Sequence, residues 1–190
     1  MSALLASSES LSPEDYLAGE LVSEERHEYI AGMVHAMAGA SAAHNAITLN
    51  IYGTLYSHLR GKPCQAFGSD MKLRLNFGSD TVFYYPDAMV VCDPDDDASY
   101  YRERPVLIIE VLSPQTARVD QREKLLAYRT LPSLEVYVLV DQSRSHVTIY
   151  RRDTGWNPEI LTDLSAVLIV PALGWSIPLR DLYERTPFAD

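Results

Sequence analysis

Val106-Leu107-Ile108-Ile109-Glu110-Val111-Leu112 is an apolar run with one carboxylate inside it. Aliphatic residues this dense, opened by Pro105, read as a strand buried on both faces, the kind that occupies the middle of a sheet. The neighbouring segments arrange themselves around it. Downstream, residues 117–130 read as a helix stopped at Pro132, and Leu134–Asp141 as a second buried strand. His146–Arg151 pairs with that strand across the polar turn Gln142-Ser143-Arg144-Ser145. Upstream, Cys64–Phe67, Met71–Leu75 and Thr81–Cys92 read as strands, separated by Gly68 and by Gly78-Ser79-Asp80.

Toward the N-terminus the pattern changes to helices and a hairpin. Ser12-Pro13-Glu14-Asp15 opens a short helix: serine caps, proline suits the first turn, and acids favour the positive end of the dipole. Residues 26–38 alternate about Ala31-Gly32 as a hairpin. Between Ser41 and Arg60, Ile47, Ile51, Leu55 and Leu59 recur every fourth position, an amphipathic helix that ends at Gly61-Lys62-Pro63. Leu168, Trp175, Ile177 and Leu179 suggest short closing strands and a last helix. The expected fold class is α/β of the α+β mixed kind, a central mixed sheet with helices on each side. Residues 1–10 read as a loose tail, and 11–190 as one domain.

Composition excludes several functions. The 190 residues are 47% hydrophobic and 22% charged, so a packed core is expected and wholesale disorder is not. Lysine and arginine number 16 against 26 acids, a formal net charge of -10, which disfavours general coating of nucleic acid. The opening residues lack the basic and apolar regions of a secretory signal. Glu110 and Pro171 break the longest apolar runs, so no membrane span is expected. Cys64 and Cys92 lack metal-finger spacing and read as reduced core thiols. A cytoplasmic enzyme or module fits these features.

Glu110 sits where every neighbour favours burial, and an unpaired buried carboxylate costs several kcal/mol. Either it is paired, with an arginine for example, or it holds something. Asp87 repeats the anomaly in Val82-Phe83-Tyr84-Tyr85-Pro86-Asp87-Ala88-Met89-Val90-Val91. Pro86 removes a ladder donor and marks a strand edge or bulge that can aim the next side chain, although Pro-Asp also makes simple turns. Two carboxylates on adjacent strands form a hard oxygen set suited to Mg²⁺ or Mn²⁺. Such an ion lowers the pKa of a water and neutralises charge on a phosphoryl group. Lys124, on the helix after the Glu110 strand, could supply a cation near that water, or simply pair with Asp120 along the helix.

An acid after proline, a Glu on the next strand and a nearby lysine resemble the PD-(D/E)XK nuclease arrangement. The usual lysine position, two residues after the Glu, holds Leu112 here. The remainder of the chain resembles a branch in which the lysine has moved to the following helix, the Uma-two family of endonucleases with a restriction-endonuclease-like fold. The matching stretches are Arg26-His27-Glu28-Tyr29-Ile30-Ala31-Gly32, His44, Asp70, Tyr85-Pro86-Asp87 and Ile109-Glu110-Val111-Leu112-Ser113-Pro114, then Asp120, Lys124, Tyr128 and Glu135-Val136-Tyr137. The resemblance as a whole covers about residues 14–185. The resemblance implies that Asp87 and Glu110 bind Mg²⁺ or Mn²⁺, with the main-chain carbonyl of Val111 a further oxygen. It implies that Lys124 orients or deprotonates the attacking water, that Glu28 holds a metal water or a second ion, and that DNA is the substrate. A homodimer is in keeping with the resemblance. His44 and Asp70 match family positions without an assigned role.

Other signals lead elsewhere. Asp93-Pro94-Asp95-Asp96-Asp97 fails as an EF-hand loop, since Ala98 and Arg104 stand where Gly and Glu are needed, and reads as a solvated acidic loop. Tyr100 and Tyr101 could stack on bases. Arg118, Arg122, Arg129, Arg144, Arg151 and Arg152 could touch phosphates or coat solvated faces. A glycoside hydrolase would use the two acids, but Trp156 and Trp175 offer little for a sugar-stacking groove. The displaced lysine and the acidic charge keep one alternative open, a non-catalytic nuclease-fold module that binds nucleic acid or a protein.

Overall fold

A computed structural model describes residues 10–37, 39–113 and 119–188, with side chains of 119–121 left aside. Residues 1–9 of the expected tail, Pro114, Arg118 and the Asp120 side chain therefore lie outside the described residues. Among the described residues no helix is long and apolar enough to cross a membrane.

Helix α1, Pro13–Glu20, starts as the sequence indicates, with the Ser12 side chain accepting from the Asp15 amide at 3.1 Å. Strands β1, His27–Ile30, and β2, Met33–Ala36, form the hairpin. Its turn places Ala31 at φ 47° and Gly32 at φ 94°, the left-handed pair that a tight two-residue hairpin requires. Helix α2, Ala42–Leu59, buries Ile47, Ile51, Leu55 and Leu59 on one stripe, and Ser41 caps it.

The expected single strand from Thr81 to Cys92 is two strands. Strands β3, Gln65–Gly68, and β4, Lys72–Phe77, come first. Then β5, Asp80–Tyr84, and β6, Ala88–Val91, part company at Tyr85-Pro86-Asp87 and enter different sheets. Pro86 cannot donate to a ladder, so the break falls where pairing is weakest. After β7, Tyr101–Arg102, the apolar run forms β8, Pro105–Leu112. A π-helical turn, Val119–Lys124, leads into α3, Leu125–Tyr128. Strands β9, Val136–Asp141, and β10, Val147–Arg151, follow as expected. The chain closes with β11, Pro158–Leu161, the hairpin of β12, Val167–Val170, and β13, Trp175–Pro178, and α4, Leu179–Leu182.

The expected central mixed sheet is present, and the remaining strands form two further sheets. The central sheet runs β11-β10-β9-β8-β6-β3, with β8 and β9 parallel and the other pairs antiparallel. A second sheet runs β2-β1-β5-β4-β7, and β12-β13 stand apart. Alternation along the strands sorts the core into two layers. Ala88, Val90, Leu107, Ile109 and Val111 pack with α2 and with Trp175 and Leu179. Met89, Ile108 and Leu112 face Leu73, Leu75, Val82 and Tyr84 of the second sheet. Glu110 belongs by parity to this second, inter-sheet layer.

The cysteine reading is corrected. Cys64 and Cys92 form a disulfide, with their Cα atoms 3.9 Å apart. The β3–β6 register pairs Gln65 with Val91, and one further step sets the two cysteines face to face, a proximity that sequence spacing cannot reveal. The acidic loop is also only partly solvated: Asp96 is buried and accepts the amides of Glu103 and Arg104 at 2.9 and 2.7 Å.

Candidate active site

Glu110 is 3% exposed, between the two sheets. Its Oε1 accepts from Lys124 Nζ at 3.1 Å and from the Tyr128 hydroxyl at 2.9 Å. Lys124 is also buried, and its ammonium lies 3.1 Å from Glu28 Oε1 and 5.1 Å from the centre of the Tyr84 ring. A buried charge is tolerable only when paired and hydrogen-bonded, and these contacts meet that demand. The partner expected for a structural Glu110 was arginine; it is the lysine of the following helix. Burial and the Glu28 charge push the Tyr84 hydroxyl up to about 12, and burial beside Glu110 raises Tyr128 well above its ordinary value. Both remain phenols at neutral pH, and Tyr128 stays a donor.

Asp87 lies in the bend that carries the chain from β5 to β6. The β6–β8 register pairs Ala88 with Ile109, so one more step sets Asp87 opposite Glu110. Asp87 Oδ2 accepts the Val111 amide at 2.7 Å, and Oδ1 lies 2.9 Å from His44 Nε2. The two acids are therefore linked through a single peptide, the one joining Glu110 to Val111. His44 stands in the first turn of α2, its own amide held by Ser41 at 3.1 Å, and Ser41 in turn donates to Gln142.

Glu28, Glu110 and Lys124 are thus brought into contact, and Asp87 reaches the same stretch of β8 from the other strand. Val111, expected through its carbonyl, turns its amide toward Asp87. Asp70 forms an exposed ion pair with Arg26 at 2.7 Å. Tyr128 and His44 acquire defined contacts that the sequence reading did not assign. The Tyr128 signal was present, because it lies four residues after Lys124 and so on the same helical face. Nothing local to His44 points at Asp87. Three of the downstream arginines are engaged: Arg144 pairs with Asp141, Arg151 with Glu159, and Arg152 stacks over Trp156.

Among the described residues no three His, Cys, Asp or Glu side chains group closely enough to enclose an ion. A magnesium-like ion needs only one or two carboxylates and keeps its remaining waters, so the all-oxygen donor set fits it. Glu28 and Glu110 share the Lys124 ammonium.

Tyr128 offers a direct check of the buried hydrogen bonds. Tyr128→Phe removes a donor from an ionised acceptor at a fully buried position and is expected to cost about 1.5–3 kcal/mol. Thermal unfolding should therefore fall by roughly 5 °C. An unchanged midpoint would show that the hydroxyl contributes nothing there.

Comparison with known proteins agrees with this architecture. Two uncharacterized proteins of Synechocystis sp. are similar: one is 32% identical over 94% of this chain and 94% of its own, the other 34% identical over 85% and 91%. A crystal structure from Anabaena variabilis, described as "a putative nuclease belonging to DUF820", superposes with a TM-score of 0.68 at 20% identity, covering 85% of this chain and 91% of that one. That likeness shows a shared fold, mixed sheets flanked by helices. Residues 13–180 match the Uma2 family, whose description reads "Putative restriction endonuclease", and the chain belongs to that family.

Proposed function

We propose that this protein is a metal-dependent endonuclease that hydrolyses DNA phosphodiester bonds at the group formed by Asp87, Glu110, Glu28 and Lys124. The observation that carries the reading is the buried Lys124 ammonium, 3.1 Å from Glu110 and 3.1 Å from Glu28. A lysine so placed costs stability to desolvate, and a fixed positive charge of this kind is one of the parts that stabilise phosphoryl transfer.

Asp87 and Glu110 would hold Mg²⁺ or Mn²⁺, with the Val111 carbonyl a further oxygen. When bound, the ion supplies charge neutralisation at phosphorus and a more acidic water. The chain's own residues do the rest. His44 and the Val111 amide fix the orientation of the Asp87 carboxylate, and Tyr128 fixes that of Glu110. Lys124 holds the attacking water by one of its protons and presents positive charge to a non-bridging phosphate oxygen. Glu28 shares the ammonium and so limits where it can point.

The net charge of -10 favours the second reading, a module that binds without cutting. One experiment separates them. Supercoiled plasmid incubated with the protein should be nicked in Mg²⁺ and left intact in EDTA, and Mn²⁺ titrated calorimetrically should bind stoichiometrically. Absence of both nicking and metal binding would leave the module.

A further inference from the structure

We propose that Glu20, the last residue of α1, is a positioning residue that fixes the two chain segments delivering Glu28 and Asp87; this deepens the endonuclease reading and rests on it. Glu20 is a helix-terminal acid, a kind of residue that is normally solvated, yet its side chain is only 6% exposed. Its Oε1 accepts the His27 amide at 2.9 Å and the Tyr85 hydroxyl at 2.8 Å, while Oε2 lies 3.2 Å from His27 Nδ1. His27 immediately precedes Glu28. Tyr85 comes two residues before Asp87.

The ladder between β1 and β5 shows why a bridge is needed. It pairs Ile30 with Val82 and Tyr29 with Phe83, and there it stops. The same register continued would set Glu28 opposite Tyr84 and His27 opposite Tyr85. At that last step the Glu20 carboxylate spans the strands in place of backbone pairing. Around it, Tyr16 donates to the His27 carbonyl at 2.6 Å, and the buried Lys72 ammonium sits 5.3 Å from the centre of the Tyr85 ring. The strands separate here, one toward the hairpin and one toward the Pro86 bend. Glu20 holds them at the point from which both acids emerge.

Three variants and two kinds of readout test this. The first readout needs no activity: hydrogen exchange of the Val111 amide, which donates to Asp87, followed by NMR. Glu20→Ala is expected to speed that exchange by about tenfold, as local opening becomes cheaper. It should weaken Mn²⁺ binding and lower kcat by about 10–100-fold, the usual effect of losing an outer support, with KM for plasmid DNA unchanged. Glu20→Gln keeps an oxygen for both donors and is expected to stay within about threefold of the parent on every measure. If Glu20→Ala does not fold, Tyr85→Phe removes one of the bonds while keeping the ring and should still speed Val111 exchange.

Unchanged Val111 exchange in Glu20→Ala or, where that variant does not fold, in Tyr85→Phe overturns the proposal. So does a Glu20→Gln protein as impaired as Glu20→Ala, which would assign the effect to charge alone. A parent protein that neither binds Mn²⁺ nor cuts DNA would instead overturn the endonuclease reading, while Val111 exchange still decides the role of Glu20.

Discussion

Asp87→Asn and Glu110→Gln are each expected to reduce Mg²⁺-dependent DNA cleavage by about 10²–10³-fold or more, the scale on which a single electrostatic contributor at a reacting centre is felt. The substitutions keep shape and remove charge. In Asp87→Asn the remaining oxygen can still accept the Val111 amide, and in Glu110→Gln the side chain can still accept from Tyr128. Both proteins should therefore unfold within a few degrees of the parent, about 1–2 kcal/mol at most. Single-turnover nicking of supercoiled plasmid measures the loss. Undiminished nicking in both variants would remove these acids from the chemistry.

Lys124→Met should affect activity and stability together. Glu110 and Glu28 would lose the ammonium that lies 3.1 Å from each of them. Stranding a buried charge costs about 3–5 kcal/mol, so the unfolding midpoint should fall by roughly 10 °C. The double variant Lys124→Met/Glu110→Gln removes the more deeply buried of the two stranded charges, leaves Glu28 in place and keeps an acceptor for Tyr128. It is expected to recover part of the stability and none of the cleavage, which separates the lysine's part in folding from its part in chemistry. If Lys124→Met melts like the parent, the ion pair with Glu110 is not the buried contact described.

Much of this site can be read in the sequence because burial and charge conflict there. Glu110 stands out inside an aliphatic strand, Asp87 follows the proline that ends β5, and Lys124 lies on the helix after β8. Tyr128 could have been added from its four-residue offset. His44 could not, since its only link to Asp87 is an approach of α2 to the β5–β6 bend. Glu20 is likewise silent in the sequence, an ordinary acid near the end of a short helix, until β1 and β5 are paired.

Residue order alone determined the elements whose signals are local: the Ser12 and Ser41 caps, the Ala31-Gly32 turn, the four-residue stripe of α2 and the apolar run of β8 on either side of Glu110. Their causes act within a few residues, through backbone donors, steric limits and the side on which each side chain falls. Only the tertiary structure decided the division of the strands into separate sheets, the Cys64–Cys92 bond and the choice of Lys124 as the partner of Glu110. Those outcomes depend on register and on which distant surface covers which strand, and residues far apart in the chain meet only after the backbone has folded.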